Sequence, residues 1–378
     1  MKPIYLDYNG TTPIDAEVAD EMRKYLDDRF GNPSSSHFYG EQSKEDLKLA
    51  RKRVAELINC EPYEIIFTSG GTESNNHAIR GVCWQNQDKG KHIVTSAVEH
   101  PAVTEVLGHL RDCGFTFTKV PVNNVGIVNP QDVEKAITTE TTLITVMHSN
   151  NEIGAIQPIT EISEIAKKHN IVFHTDACQS IGKVPVDVQE LGCDLLTIAG
   201  HKIYAPKGVG ALFIRRGLKL QNLMFGAGQE RGIRPGTENM LEIVGLGKAC
   251  EIAKRDLTKN IAHVKAMRNR LYKGLQEKLK DFKVNGDLIQ NLPNTLNISI
   301  KGIDADTALA LMDEHLSASA GAACHADSVT VSSTIAAIGV HRDFARGTMR
   351  FTTGKYTTAD EIDTAITIIT KTVNKLRG

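Results

Sequence analysis

At 378 residues the chain is long enough for one large and one smaller domain, each with its own core. Hydrophobic residues make up 41% and charged residues 24%, the balance of a soluble globular protein. A formal net charge of -1 gives no field of one sign to attract nucleic acid or an acidic membrane.

The N-terminal stretch places Asp7 where a signal peptide needs an apolar run, and no apolar run is long enough to span a bilayer. The expected location is the cytoplasm, with no membrane and no nucleic-acid partner. Cysteines stand singly at 60, 83, 113, 178, 193, 250 and 324, without a CxxC or a ligand-like Cys/His pair. That pattern speaks against a zinc or iron–sulfur site and, in that compartment, against a disulfide framework.

In chain order, residues 64–68 read as a strand followed by a Gly-Gly turn. Further strands are expected at 92–95, 143–147, 171–175 and 194–198, with a helix at 159–169. These runs are continuously apolar rather than alternating, as when both faces of a sheet are covered. The fold class is therefore α/β with a mostly parallel sheet. After about Gly247 the pattern changes. A long helix is expected over 260–282, a strand at 296–300 and a helix at 304–315. A loop of small residues follows at 317–324. The last helix opens at Thr358 with a capping-box pattern, and its apolar face is Ile362, Ile366, Ile369, Val373 and Leu376. The division expected is a large α/β domain over 15–250. A smaller α+β domain combines 1–14 with 251–378.

Three stretches carry chemistry. In 68–76 a strand ends, Gly70 and Gly71 turn the chain and a helix begins, which directs free N–H groups at one spot and suits a phosphate. Alone, it also reads as a plain strand–turn–helix connection. Asp176 follows a buried strand, where a carboxylate can pair with a protonated ring nitrogen or simply cap a helix. Lys202 lies just past the next strand, placed to bond through its amine to an aldehyde cofactor. Most lysines are surface residues. Asp176 and Lys202, however, end two successive strand-like runs and so reach the same sheet edge. A phosphate cradle, a ring acid and a lysine on one edge suit pyridoxal 5'-phosphate.

With 5–13, 31–35, 69–76, 150–154, 176–179, His201-Lys202 and 234–239, the chain resembles the cysteine desulfurases and selenocysteine lyases. These are class V aminotransferase-like members of the fold-type I pyridoxal-phosphate enzymes, and the resemblance runs nearly end to end. It implies a seven-stranded sheet, a homodimer and pyridoxal 5'-phosphate. It implies that Lys202 holds the cofactor and moves a proton, Asp176 pairs with the ring nitrogen, His100 stacks on the ring and Gln179 bonds the ring oxygen. Gly71, Thr72 and His201 hold the phosphate, joined by Thr237 of the partner subunit. Asn151 and Arg350 clamp the substrate carboxylate. Cys324 takes the sulfur as a persulfide while L-alanine leaves, and with selenocysteine it acts as a proton donor instead. A sulfur or selenium acceptor protein is a further expected partner.

Two features depart from many desulfurases. Ala199 stands where a serine bonds the phosphate, and the cysteine segment reads Gly-Ala-Ala-Cys-His. Both, with 225–239, are similar to selenocysteine lyases. A dedicated selenocysteine lyase and another β-eliminating class V activity, which would not need Cys324, remain alternatives. A non-catalytic sulfur-delivery subunit is a third, opposed by the complete set of site residues.

Overall fold

The computed structural model describes residues 2–320, 322–325 and 328–378, with the backbone course alone for 322–325 and 328–330. Seven strands form the main sheet. Their spatial order is Ile65–Thr68, Gly210–Ile214, Leu195–Ala199, Val172–Asp176, Thr141–Thr145, His92–Ser96 and Thr116–Val120. The last five run parallel; Gly210–Ile214 is antiparallel to both of its neighbours. Apolar clusters cover both faces, one holding Ile144, Phe173 and Ile198 and the other Ile93, Leu143 and Leu195.

All five expected strands are present. The strand expected at 143–147 sits two residues earlier, because Met147 leaves the ladder and donates its N–H to Glu99 at 2.9 Å. Thr116–Val120 was not expected; it is the sheet edge, largely exposed, and lacks the apolar run of its neighbours.

A second, antiparallel sheet orders Ser319–Ala320, Thr348–Thr352, Thr295–Ile300 and Phe282–Val284. Its core joins Leu6, Leu271, Leu296, Phe351 and Ile366. The helix Ala359–Arg377 opens with the expected capping box from Thr358 and Glu361.

Three expectations need correction. The helix expected over 260–282 is Met240–Lys278, 39 residues long. Ile243, Leu246 and Cys250 sit in the core of the main sheet, and Leu271 and Leu275 in that of the second. Gly247 does not end a unit. A Cβ there would lie 2.6 Å from Ala50 Cα, so the glycine lets this helix press against Phe38–Ile58. The segment 317–324 is not a plain loop: Leu316–Ser317, Ser319–Ala320 and Ala322–His325 are short strands, the last facing Ser328–Val331. At the N-terminus, Ile4–Tyr5 pairs with Leu316–Ser317, and Val18 on the helix Ala16–Asp27 belongs to the core of the main sheet.

Candidate active site

A cleft of about 890 Å³ opens at the carboxyl ends of the parallel strands. Its walls include Gly71, Thr72, His100, Asn151, Asp176, Gln179, Ala199, His201, Lys202 and Arg350. The structure thus brings together nearly every residue singled out in the sequence. Two stand apart. Thr237 is exposed and does not line its own chain's cleft. The Cys324 side chain lies outside the described residues; the backbone of Cys324 faces Val329 in the hairpin.

One end of the cleft suits an anion. The helix Gly71–Gln85 has no side-chain cap, which leaves its first-turn N–H groups without helical partners. A Cβ on Gly71 would lie 2.7 Å from Cys178 Sγ, so only glycine leaves room for this wall. His201, in the turn Gly200–Lys202, has a pKa lowered to about 4, by burial first and then by Lys202, Lys207 and Lys183. Burial thus favours the neutral ring, whose Nδ1 lies 3.2 Å from Thr11 Oγ1. Ala199 supplies no hydroxyl to this end.

In the floor, Asp176 is 5% exposed. Its Oδ1 accepts from Cys178 N at 2.9 Å and its Oδ2 from Asn75 Nδ2 at 2.7 Å. Those bonds fix the carboxylate at the strand end. Cys178 is held protonated well above the usual thiol range, by burial and then by Asp176, so it is no nucleophile.

Lys202 Nζ donates to Asn9 O and Gly10 O, each at 2.6 Å. Burial lowers its pKa, and the nearby Arg350 adds to this against the pull of Asp7 and Asp176. A buried amine of lowered pKa and two carbonyl contacts is suited to attack a carbonyl carbon. Gln179 Nε2 donates to Asn9 O at 3.0 Å, and its Oε1 accepts from Lys183 Nζ at 2.8 Å. Lys183 therefore fixes which end of the amide points where.

His100 precedes the helix Pro101–Asp112, and its Nδ1 accepts from Ala102 N at 3.1 Å. Desolvation lowers its pKa, opposed by Asp176 and aided by Lys202. The ring is held in place by its capping bond. Beneath it, Glu99 is buried and accepts from Ser96 Oγ at 2.5 Å and Met147 N at 2.9 Å. Burial raises its pKa to about 8.

At the far rim Arg350 is 8% exposed. It donates to Asn151 O at 2.8 Å, Asp7 Oδ1 at 2.6 Å and Ser319 Oγ at 3.0 Å. Sequence reasoning missed Asn9, Asn75, Glu99, Lys183 and the Asp7–Arg350 pair. Asn75 was legible one helical turn beyond Gly71. The others depend on pairings between residues far apart in sequence, such as Asn9 with Gln179 and Lys202.

The cleft fits pyridoxal phosphate on its own geometry: anion donors at one end, a fixed carboxylate in the floor and an amine between them. Among the described residues no cluster of His, Cys, Asp or Glu suits a metal ion. A family model for aminotransferase class V matches residues 4–364. The cysteine desulfurase IscS of Dictyoglomus turgidum is 44% identical over 377 residues, which is all of this chain and 96% of that one. A solved NifS-like protein has a TM-score of 0.93 at 34% identity, covering 99% of this chain and all of that one. A structure described as SspA in complex with cysteine has a TM-score of 0.83 at 36% identity, covering 95% and 100%. With a match over nearly its whole length and the site residues gathered at one sheet edge, the chain belongs to the aminotransferase class-V family.

Proposed function

We propose that the protein is a pyridoxal-phosphate cysteine desulfurase, taking sulfur from L-cysteine and releasing L-alanine. The observation that carries this is the buried Lys202 amine and the fixed Asp176 carboxylate, on adjacent strand ends opposite an uncapped helix. The relatives named as desulfurases and the neighbour solved with cysteine support the substrate.

Bound here, pyridoxal phosphate supplies an aldehyde for the substrate amine and a ring that accepts electron density. The residues do the rest. Gly71, Thr72 and His201 hold the phosphate, with Thr237 of the partner subunit in a homodimer. Asp176 keeps the ring nitrogen protonated, Gln179 donates to the ring oxygen and His100 stacks on the ring. Lys202 takes the proton from the substrate α-carbon. Asn151 and Arg350 hold the substrate carboxylate. The Cys324 thiolate attacks the substrate sulfur, forming an S–S bond as the carbon–sulfur bond breaks. A protein acceptor then takes the sulfur from that persulfide. The division into 15–250 against 1–14 with 251–378 places Lys202 on one unit and Arg350 and Cys324 on the other. Cytoplasmic location is part of the same proposal; among the described residues no helix is long and apolar enough to cross a membrane.

The test is L-alanine release by cofactor-loaded protein from L-cysteine and L-selenocysteine in parallel. Turnover of L-cysteine that is lost in Lys202→Ala is expected. Turnover of L-selenocysteine alone would replace this reading with a selenocysteine lyase, the reading that Ala199 and the Gly-Ala-Ala-Cys-His segment favour. Full activity in Lys202→Ala would overturn both.

A further inference from the structure

Arg350 is assigned above to the substrate carboxylate, yet three of its five donors are already engaged from within. A guanidinium has five N–H donors and can grip a carboxylate at two points only along the Nη1/Nη2 edge or the Nε/Nη2 edge. Both edges need Nη2. Here Nη2 donates one hydrogen to Asp7 Oδ1 at 2.6 Å and the other to Ser319 Oγ at 3.0 Å. Nη1 donates to Asn151 O at 2.8 Å, and Nε is buried with no partner among the described residues. The Arg350–Asp7 ion pair is partly exposed, with side chains 10% and 23% exposed. A carboxylate from solution therefore meets a fork whose shared nitrogen is occupied, and whose charge is matched by a carboxylate of the chain itself.

We infer that Asp7 is an internal competitor for the substrate carboxylate at Arg350, and so a specificity- and affinity-determining residue of the cleft. A two-point grip on an amino-acid carboxylate displaces Asp7 Oδ1 from Nη2. The free energy of that displacement is subtracted from substrate binding. A weak or carboxylate-free amine gains nothing from Arg350, because it cannot replace Asp7. Asp7 lies in the same short turn as Asn9 and Gly10, whose carbonyls receive Lys202 Nζ, so the competitor sits where carboxylate and amine sites meet.

This inference rests on the reading of Arg350 as the carboxylate clamp, and the experiment separates the two. The probes are L-alanine and ethylamine, which differ by the carboxylate. Binding to cofactor-loaded protein is followed by the change in its visible absorption. In Asp7→Asn and Asp7→Ala the Kd for L-alanine is expected to fall about two- to fivefold, the scale of a partly exposed ion pair. The Kd for ethylamine should not change. KM for L-cysteine should fall in step with the L-alanine Kd, without a rise in kcat. An unchanged or higher Kd for L-alanine, an equal shift for both probes, or loss of cofactor binding in both variants overturns the proposal, since each makes Asp7 a builder of the site rather than a competitor. In Arg350→Gln the preference for L-alanine over ethylamine should disappear. If it survives, the clamp reading itself fails, whatever the Asp7 variants do.

Discussion

Glu99 shows how a single buried residue can leave a measurable trace. Its carboxyl, pushed up to about 8 by burial, binds a proton more tightly in the folded chain than in the unfolded one. Between the ordinary carboxylate range and about pH 8 the folded state therefore holds more protons. Stability falls through that window as pH rises, by up to about 1.4 kcal/mol per unit from this group. Glu99→Gln keeps the acceptor for Ser96 and Met147 but cannot ionise. Its unfolding midpoint should decline less than that of the parent between pH 5 and 8, with the two converging at the acid end. Parallel decline of both proteins over that range would show that Glu99 ionises at its ordinary value. Nothing in Val98-Glu99-His100 announces this state: the sequence shows an acid beside a histidine, whereas its raised pKa comes from burial in the folded chain, which outweighs the bonds from Ser96 and Met147.

Among elements, the stretch leading to Thr237 is tied to its surroundings by Arg231 on Ile65 O, by the Arg234–Glu73 pair and, most deeply, by the Glu230–Arg51 pair. Glu230, 7% exposed, accepts from Arg51 Nη1 at 2.7 Å and from Phe67 N at 2.8 Å. Arg51 stands on Phe38–Ile58 and also donates to Ile65 O at 2.6 Å. Glu230→Ala would strand a half-buried guanidinium and a buried N–H, at a cost of about 3–5 kcal/mol. Chemical denaturation reads that loss directly. A change under about 1 kcal/mol would mean that the pair behaves as a surface contact. The exposed cap of Ala359–Arg377 provides a smaller measure: Thr358→Ala should cost about 1 kcal/mol. The cap was legible because its Thr and Glu are three residues apart. The Glu230 tie was not, because its partners lie more than 150 positions away. The same holds for Met240–Lys278, whose first half looked like the close of a sheet domain and whose second half looked like a new helix. Periodicity shows which face is apolar, not that two cores share one rod.

At the scale of the whole molecule, that helix joins the two cores and the cleft lies between the structures they build, Lys202 from the main sheet and Arg350 from the second. The α/β class, the turn at Gly71, Asp176 and Lys202 were legible because strand ends and turns are local signals, and because parallel topology sends successive strand ends to one edge; His100, Asn151, Gln179, His201 and Arg350 were reached only through the resemblance to a family. What the sequence could not display was the order of the strands, the antiparallel Gly210–Ile214 and the internal contacts of Arg350. The homodimer is proposed from the resemblance to the desulfurases; Thr237, which it would bring to the partner's cleft, is exposed, as are Met224 and Phe225 on the same stretch. Sedimentation equilibrium of the cofactor-loaded protein is expected to give a dimer, and Thr237→Ala should weaken cofactor retention without dissociating it. A monomer that holds its cofactor fully would remove Thr237 from the site.

In the proposed reaction sulfur leaves cysteine by way of Cys324. The most direct measurement is a single turnover of cofactor-loaded protein with stoichiometric L-cysteine and no reductant, followed by mass analysis of the peptide that contains Cys324. One extra sulfur is expected on that peptide, formed in step with L-alanine, and neither product in Cys324→Ser. L-Alanine released with Cys324 unmodified, or released equally well by Cys324→Ser, would contradict that route.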